Sequence, residues 1–169
     1  LIIKLRYKEL VFSNNFFQVK YFLKDKNYKF NFLLNDFKKE KVKFKKNDFI
    51  IYYRNNSKSH NRYILNLIEL IKKEFSIIII GDNITSDGVT NLGYISRKQA
   101  KKIISYSRYA ISNPENLYSY FFQDCMSYDL TIFFNSIFKK YNYLNNKMLI
   151  PLNYQNSKKD FKFIKKKIT

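Results

Sequence analysis

From Asp48 onward, short apolar segments rich in β-branched residues alternate with longer segments of helical apolar spacing. Residues 48–53 are rich in strand-forming side chains, and residues 76–81 form a continuously apolar run of strand length, which is typical of a strand covered on both faces. Between them, apolar residues from Tyr63 to Phe75 recur with the period of a helix. Strand, helix and strand in succession predict a parallel sheet, because parallel neighbours need a long crossover connection.

The same alternation continues along the rest of the chain. Ser96 is a plausible N-cap for a helix that runs through Tyr106. The order βαβαβαβ predicts an open, Rossmann-like parallel α/β sheet with helices on both faces over residues 48–169. The pattern further predicts a short strand and turn at 89–96, strands at 110–112 and 130–134, an extended segment at 147–152, and helices at 115–128 and 157–167.

Residues 1–47 have a less regular pattern. It predicts a strand at 9–13, a helix at 14–23, a strand at 28–34 and a charged linker at 36–47. Because the chain starts at Leu1 rather than Met, we expect it to be a fragment whose first 47 residues belong to the end of a preceding domain and a linker.

The chain is strongly basic, with 32 Lys and Arg against 13 Asp and Glu and a formal net charge of +19. Such a charge suits nucleic acid, an anionic membrane or phosphorylated ligands, and does not choose among them. Lysines cluster at 38–46 and 158–167, which suits weak, salt-sensitive attachment to anionic lipid as well as a solvated face. The abundance of Lys, Asn and Ile is also what an AT-rich genome produces through its codons.

Cysteine and histidine are too scarce for several kinds of site. One cysteine, Cys125, excludes an intrachain disulfide, and with the single His60 it offers no metal-ligand spacing. The sequence has no apolar run of the roughly 20 residues that span a bilayer. We therefore expect a cytoplasmic protein without a metal or cofactor, with peripheral attachment at the inner face of the membrane as an option.

Candidate ligand-binding residues follow the predicted strands, since open α/β sheets bind ligands at the carboxyl ends of their strands. Arg54 and Lys58 follow the first strand, and two cations there suit a diphosphate, although in a chain with 32 basic residues a solvated loop is the simpler explanation. Glu115 and Asp124 lie on one predicted helix. Stabilisation of the helix N-terminus is the simple explanation for Glu115, and a surface or capping contact is the simple explanation for Asp124.

In this order, the segments of residues 49–135 resemble the donor-binding C-terminal domain of group 1, family 4-like glycosyltransferases of GT-B architecture. Ile51 to Arg54 followed by Lys58 resembles a strand whose end contacts the donor diphosphate. The block 112–129 resembles the family segment with two acids eight positions apart, although Glu115 is displaced by one position and the second acid is Asp124 rather than Glu. Residues 9–34 resemble the end of the acceptor-side half of such enzymes.

The resemblance implies a role for each matching residue. The donor diphosphate and sugar would contact Arg54, Lys58 and the segment Glu115, Asn116, Leu117, Tyr118 and Ser119, while Asp124, Gly93, Tyr94 and Ile95 would border the ribose and base. The partners would be a nucleoside diphosphate sugar and a glycan, lipid-linked or other envelope acceptor, with the acceptor half and the catalytic residue outside this chain.

Two other interpretations fit the sequence. A non-enzymatic basic module could bind nucleic acid or an anionic surface through the net charge and the 17 Phe and 15 Tyr, but most aromatics occupy apolar-face positions, so no specific nucleic acid is expected. A different doubly wound domain, such as a response-regulator-like or sugar-nucleotide epimerase fold, shares the same order of elements.

Overall fold

The computed structural model describes residues 45–55, 58–114, 119–137 and 148–168, except the side chains of Lys58 and Ser59. The elements predicted before residue 45 lie outside the described residues. The strands are β1 (Asn47–Tyr53), β2 (Ile77–Gly81), β3 (Thr90–Asn91), β4 (Ser107–Ile111), β5 (Thr131–Asn135) and β6 (Leu149–Leu152). The helices are α1 (Lys58–Ile71), α2 (Arg97–Ser105), α3 (Tyr120–Ser127) and α4 (Ser157–Ile168).

These strands form one parallel sheet in the order β3-β2-β1-β4-β5-β6. In the register, Phe49 of β1 lies between Ile77 of β2 and Tyr109 of β4. The order is that of the Rossmann fold, in which the chain winds outward in one direction from β1 and then in the other direction from β4. The predicted α/β fold is confirmed, and the strand order reverses between β1 and β4.

Helices cover both faces of the sheet. Neighbouring residues of β1 point to opposite faces, so each face has its own layer of buried side chains. Ile51 packs on one face with Leu67 of α1 and Ile164 of α4. Ile50 packs on the opposite face with Phe122 of α3 and, further along, Ile104 of α2. Each such buried side chain contributes about 1.5–3 kcal/mol to folding, so these two layers hold the sheet.

The helix starts follow local sequence signals in two cases. The Ser96 side chain accepts a hydrogen bond from the Gln99 amide and the Gln99 side chain accepts one from the Ser96 amide, a capping box that begins α2 as predicted. Ser119 caps α3 in the same position, with its Oγ 3.2 Å from the Phe122 amide nitrogen. The described part of the predicted 115–128 helix therefore starts at Tyr120.

Helix α1 starts earlier than the apolar pattern indicates. The sequence predicts a polar loop over 54–61, but the helix already begins at Lys58 and carries His60 and Asn61 in its first turn. Both residues line a cleft rather than the core, so this turn has no apolar spacing to reveal it. None of the described helices is long and apolar enough to cross a bilayer.

Candidate functional site

A cleft opens where the sheet changes winding direction, between the carboxyl ends of β1 and β4. Its position is the one at which open α/β sheets bind ligands. One wall comes from the end of β1 and the start of α1, and the other from the residues after β4. The described lining residues are Tyr52, Tyr53, Arg54, His60, Asn61, Ile64, Asn113 and Pro114.

Arg54 follows the carboxyl end of β1, and one nitrogen of its guanidinium has no hydrogen-bond partner among the described residues. Its Nη1 donates to the Tyr52 hydroxyl at 3.0 Å, and its Cζ lies 5.6 Å from the centroid of the Tyr94 ring. Its Nε is buried and has no hydrogen-bond partner among the described residues. The side chain is thus oriented by two neighbours, and because Nε is enclosed, contact with a ligand oxygen would fall to the terminal guanidinium nitrogens.

Asp82, directly after β2, ties together the loops that follow β1 and β3. Its Oδ2 accepts a hydrogen bond from the Asn55 amide at 2.7 Å, and its Oδ1 accepts one from the Tyr94 hydroxyl. These two bonds lower the pKa of the Asp82 carboxyl, and the bond to Asp82 raises the pKa of Tyr94. We call Arg54, Asp82 and Tyr94 the strand-end cluster.

Two glycines permit this arrangement. Gly81 has φ 104°, and a Cβ there would lie only 2.2 Å from the Tyr53 carbonyl oxygen, so no side chain fits. The Gly81 amide donates to the Gly93 carbonyl at 2.9 Å, and Gly93 has φ 61°. Close approach of these backbones places Tyr94 beside the end of β2, while Ile95 turns toward the core on the α2 and α3 face.

The wall after β4 is fixed from two directions. The Tyr154 hydroxyl donates to the Ser112 carbonyl at 2.9 Å, and the Asn135 side-chain amide donates to the Pro114 carbonyl at 3.1 Å. The Ser112 hydroxyl is buried and has no partner among the described residues. Ser112 precedes the lining residue Asn113, but it is 1% exposed and is not itself among the lining residues.

Asp124 lies elsewhere, buried between α2 and α3 with 3% of its surface exposed. Arg97 holds both of its oxygens, with Nε to Oδ2 at 3.0 Å and Nη2 to Oδ1 at 2.9 Å, and Lys101 Nζ lies 3.7 Å from Oδ1. The Arg97 guanidinium also covers the Tyr120 ring at 4.5 Å. We call Arg97, Tyr120 and Asp124 the interhelical cluster, which joins two helices and contributes no described residue to the cleft lining.

The structure thus places the predicted site residues in three groups. Arg54 and Tyr94 come together in the strand-end cluster, with Gly93 adjacent. Ser119 caps α3, and Asp124 belongs to the interhelical cluster. The Lys58 side chain and the segment Glu115, Asn116, Leu117 and Tyr118 lie outside the described residues.

Several cleft residues were not anticipated from the sequence. Asn113 was not singled out, and His60 was interpreted as part of a solvated loop. The signal that could have found them is topological, since every residue next to the ends of β1 and β4 borders the switch point.

Other chemistries find little support in the described part of the chain. No three His, Cys, Asp or Glu side chains in that part converge as metal ligands. Cys125 is fully buried, and burial raises the pKa of its thiol well above the usual value, which suits a core residue rather than a nucleophile.

No family model matches the chain, and no curated protein is significantly similar to it.

Proposed function

We propose that this domain binds a nucleoside diphosphate sugar in the cleft between β1 and β4, as the donor-binding part of a glycosyltransferase of GT-B architecture. The observation that carries the proposal is Arg54. It is a cation at the switch point of a Rossmann-like sheet, held by Tyr52 and Tyr94, with Nε left unpaired. A planar guanidinium with free donors matches the paired oxygens of a diphosphate.

Two helix starts at the same edge support an anionic ligand. α1 follows β1 and α3 follows β4, so both begin at the carboxyl edge beside the cleft. Neither helix has an acidic residue in its first turn, so no carboxylate within that turn compensates the positive end of the helix dipole. Phosphate groups bind readily at such ends.

The chemistry expected of this site is electrostatic. When the glycosidic bond to the sugar breaks, negative charge develops on the leaving diphosphate, and Arg54 is placed to stabilise it. Lys58, at the first position of α1, would supply a second cation. With these charges in place the transfer would not require a metal ion, and the acceptor and catalytic residue would come from outside the described residues.

The nucleoside is best accommodated beside the strand-end cluster. Tyr94 is 69% exposed and could stack on a base, with Gly93 and Ile95 as its chain neighbours. In Rossmann folds an acid after the second strand accepts hydrogen bonds from ribose, and Asp82 occupies that position. The family resemblance assigns the ribose to Asp124 instead, whose oxygens both bind Arg97. Both oxygens of Asp82 also accept a hydrogen bond, but Asp82 is partly exposed at the carboxyl edge of the sheet, whereas Asp124 is 3% exposed. Exposure and position therefore favour Asp82.

Isothermal titration calorimetry with UDP, GDP, their glucose and mannose conjugates and inorganic pyrophosphate tests the proposal. We expect one nucleotide series to bind and the Arg54→Ala variant to bind at least about tenfold more weakly, because hydrogen bonds to a charged group contribute about 1.5–3 kcal/mol. Arg108→Ala is the matched control, since Arg108 is an exposed arginine on β4 near the opposite edge of the sheet. Equal affinity in both variants, or binding of single-stranded DNA alone, would contradict the proposal.

A further inference from the structure

The last helix, α4, divides sharply into a buried face and a basic face. Toward the sheet it presents the buried Asp160 and Ile164, with Phe161 and Ile168 packed partly against the same core. The opposite half of its circumference is exposed and contains five lysines and one aromatic residue. We call this exposed set the α4 basic face, and its members are Lys158, Lys159, Lys162, Phe163, Lys166 and Lys167.

The α4 basic face is held rigidly on the domain. Asp160 Oδ2 accepts a hydrogen bond from the Tyr63 hydroxyl at 2.6 Å and another from the Tyr154 amide at 3.0 Å. The rings of Tyr63 and Tyr154 stack with centroids 4.8 Å apart. Buried hydrogen bonds to a carboxylate fix the rotation of the helix about its axis, so the lysines point outward together.

Helix stability accounts for only part of this set, since Lys166 and Lys167 lie in the last turn, where the helix dipole favours cations. Lys158 and Lys159 occupy the first turn, where the positive end of the helix dipole disfavours cations. Lys165 at the edge of the face is paired with Glu74, but among the described residues none of the five lysines of the face has a carboxylate at ion-pair distance. No described carboxylate relieves their mutual repulsion, which an external anion would reduce.

We propose that the α4 basic face binds the surface of an anionic lipid bilayer. Phe163 is 37% exposed in the middle of the lysines, and Lys167 Nζ lies 5.6 Å from its ring centroid. A short apolar side chain surrounded by lysines can enter the interface while the ammonium groups remain at the lipid phosphates. From Lys158 to Lys167 the face extends about 14 Å along one helix, which allows simultaneous contact with a flat surface.

The composition of the face favours lipid over nucleic acid. The helix contains no arginine, the residue that provides bidentate contacts to phosphate and base edges. The face carries one exposed aromatic ring, whereas sites for single-stranded nucleic acid stack successive bases on several rings. This inference does not depend on the proposed donor site, because the α4 basic face shares no residue with the cleft.

Vesicle co-sedimentation of the full chain provides the test, with phosphatidylcholine vesicles and vesicles containing equal parts phosphatidylcholine and phosphatidylglycerol. We expect binding only to the anionic vesicles and a loss of at least about 25-fold in partitioning for Lys162→Glu with Lys166→Glu, from roughly fivefold per lysine. The matched control reverses Lys98 and Lys102, an exposed lysine pair of equal spacing on α2, which covers the other face of the sheet. We expect this control to lose less than about fivefold.

A third variant distinguishes binding to a lipid surface from binding to other polyanions. Phe163→Ala should weaken vesicle partitioning about three- to tenfold, since it removes apolar area that enters the interface, while leaving the binding of single-stranded DNA unchanged. Equal losses for the two lysine pairs would show that net charge alone drives binding and would overturn the proposal. Equal binding to neutral vesicles, or loss of DNA binding with unchanged vesicle binding, would overturn it as well.

Discussion

The strand-end cluster and the interhelical cluster are built from the same three residue types, an arginine, a tyrosine and an aspartate. They differ in which of these side chains contact one another. In the interhelical cluster Arg97 binds both oxygens of Asp124 directly and covers Tyr120. In the strand-end cluster Asp82 binds a backbone amide and Tyr94 instead, so Arg54 remains without a carboxylate contact in the described structure.

This difference makes Arg97 and Asp124 a structural ion pair and leaves Arg54 as a cation that can contact a ligand. A guanidinium that already binds a carboxylate through two hydrogen bonds has little left for a ligand phosphate. Arg54 is oriented by a tyrosine hydroxyl and an aromatic ring and interacts with Asp82 only through space, so it remains better able to contact an incoming anion than Arg97. We therefore expect the interhelical cluster to govern stability and the strand-end cluster to govern binding.

The largest effect is expected from Asp124→Asn. It leaves Arg97 without its partner and replaces a charge-assisted pair by a weaker contact, so the free energy of unfolding should fall by about 2–3 kcal/mol. Urea unfolding followed by circular dichroism measures this change, and nucleotide affinity should stay within about twofold. A stable variant that no longer binds nucleotide would reverse the assignment and place the ribose at Asp124.

Arg54→Ala should show the opposite combination. Nucleotide affinity should fall about 10- to 100-fold, because a charge-assisted contact to the diphosphate is lost. The free energy of unfolding should change by less than about 0.5 kcal/mol, because Arg54 forms no ion pair with the described residues. Calorimetric titration and urea unfolding of the same preparation test both parts, and a loss of stability with unchanged affinity would remove the distinction between the clusters.

Tyr94→Phe should have a smaller effect on the same site. It keeps the ring beside Arg54 but removes the hydroxyl that binds Asp82, so the loop after β3 is held less firmly. We expect affinity to fall about three- to fivefold, as for the loss of one hydrogen bond. Tyr106→Phe is a suitable control, since Tyr106 is another partly exposed tyrosine, at the C-cap of α2. A fall in nucleotide affinity of the same size in both variants would contradict the role of Tyr94.

The smallest effect concerns acid stability. The folded-state pKa of Asp82 lies below its unfolded value of about 3.9, so its contribution to stability is present above that pH and is lost as pH falls through the lower folded value. Asp82→Asn should therefore be less stable than the unmodified chain at neutral pH and approach it below about pH 3. Unfolding midpoints measured across this range check the sign, and a gap that widens in acid would contradict it.

The order of the elements could be predicted from the sequence because each local signal agreed with the fold. The apolar run before Gly81 gave a strand covered on both faces, and Ser96 with Gln99 formed the predicted helix start. Such signals depend on neighbours in the chain, so spacing alone reveals them.

Long-range polar pairs could not be predicted in this way. Arg97 and Asp124 lie 27 positions apart, and nothing in their local sequence indicates that they meet. The first turn of α1 was missed for a related reason, because His60 and Asn61 face the cleft and break the apolar spacing. Arg54 could be selected in advance only because it follows a predicted strand directly.

Chemical-shift mapping by NMR during a titration with the nucleoside diphosphate that binds most tightly tests the central claim most directly. The account predicts saturable shifts for the amides of Arg54 and Asn55 after β1, Asn113 after β4 and Tyr94 after β3, with α4 unaffected. Shifts confined to α4, or spread over the basic surface and removed by salt, would contradict a donor site at the switch point.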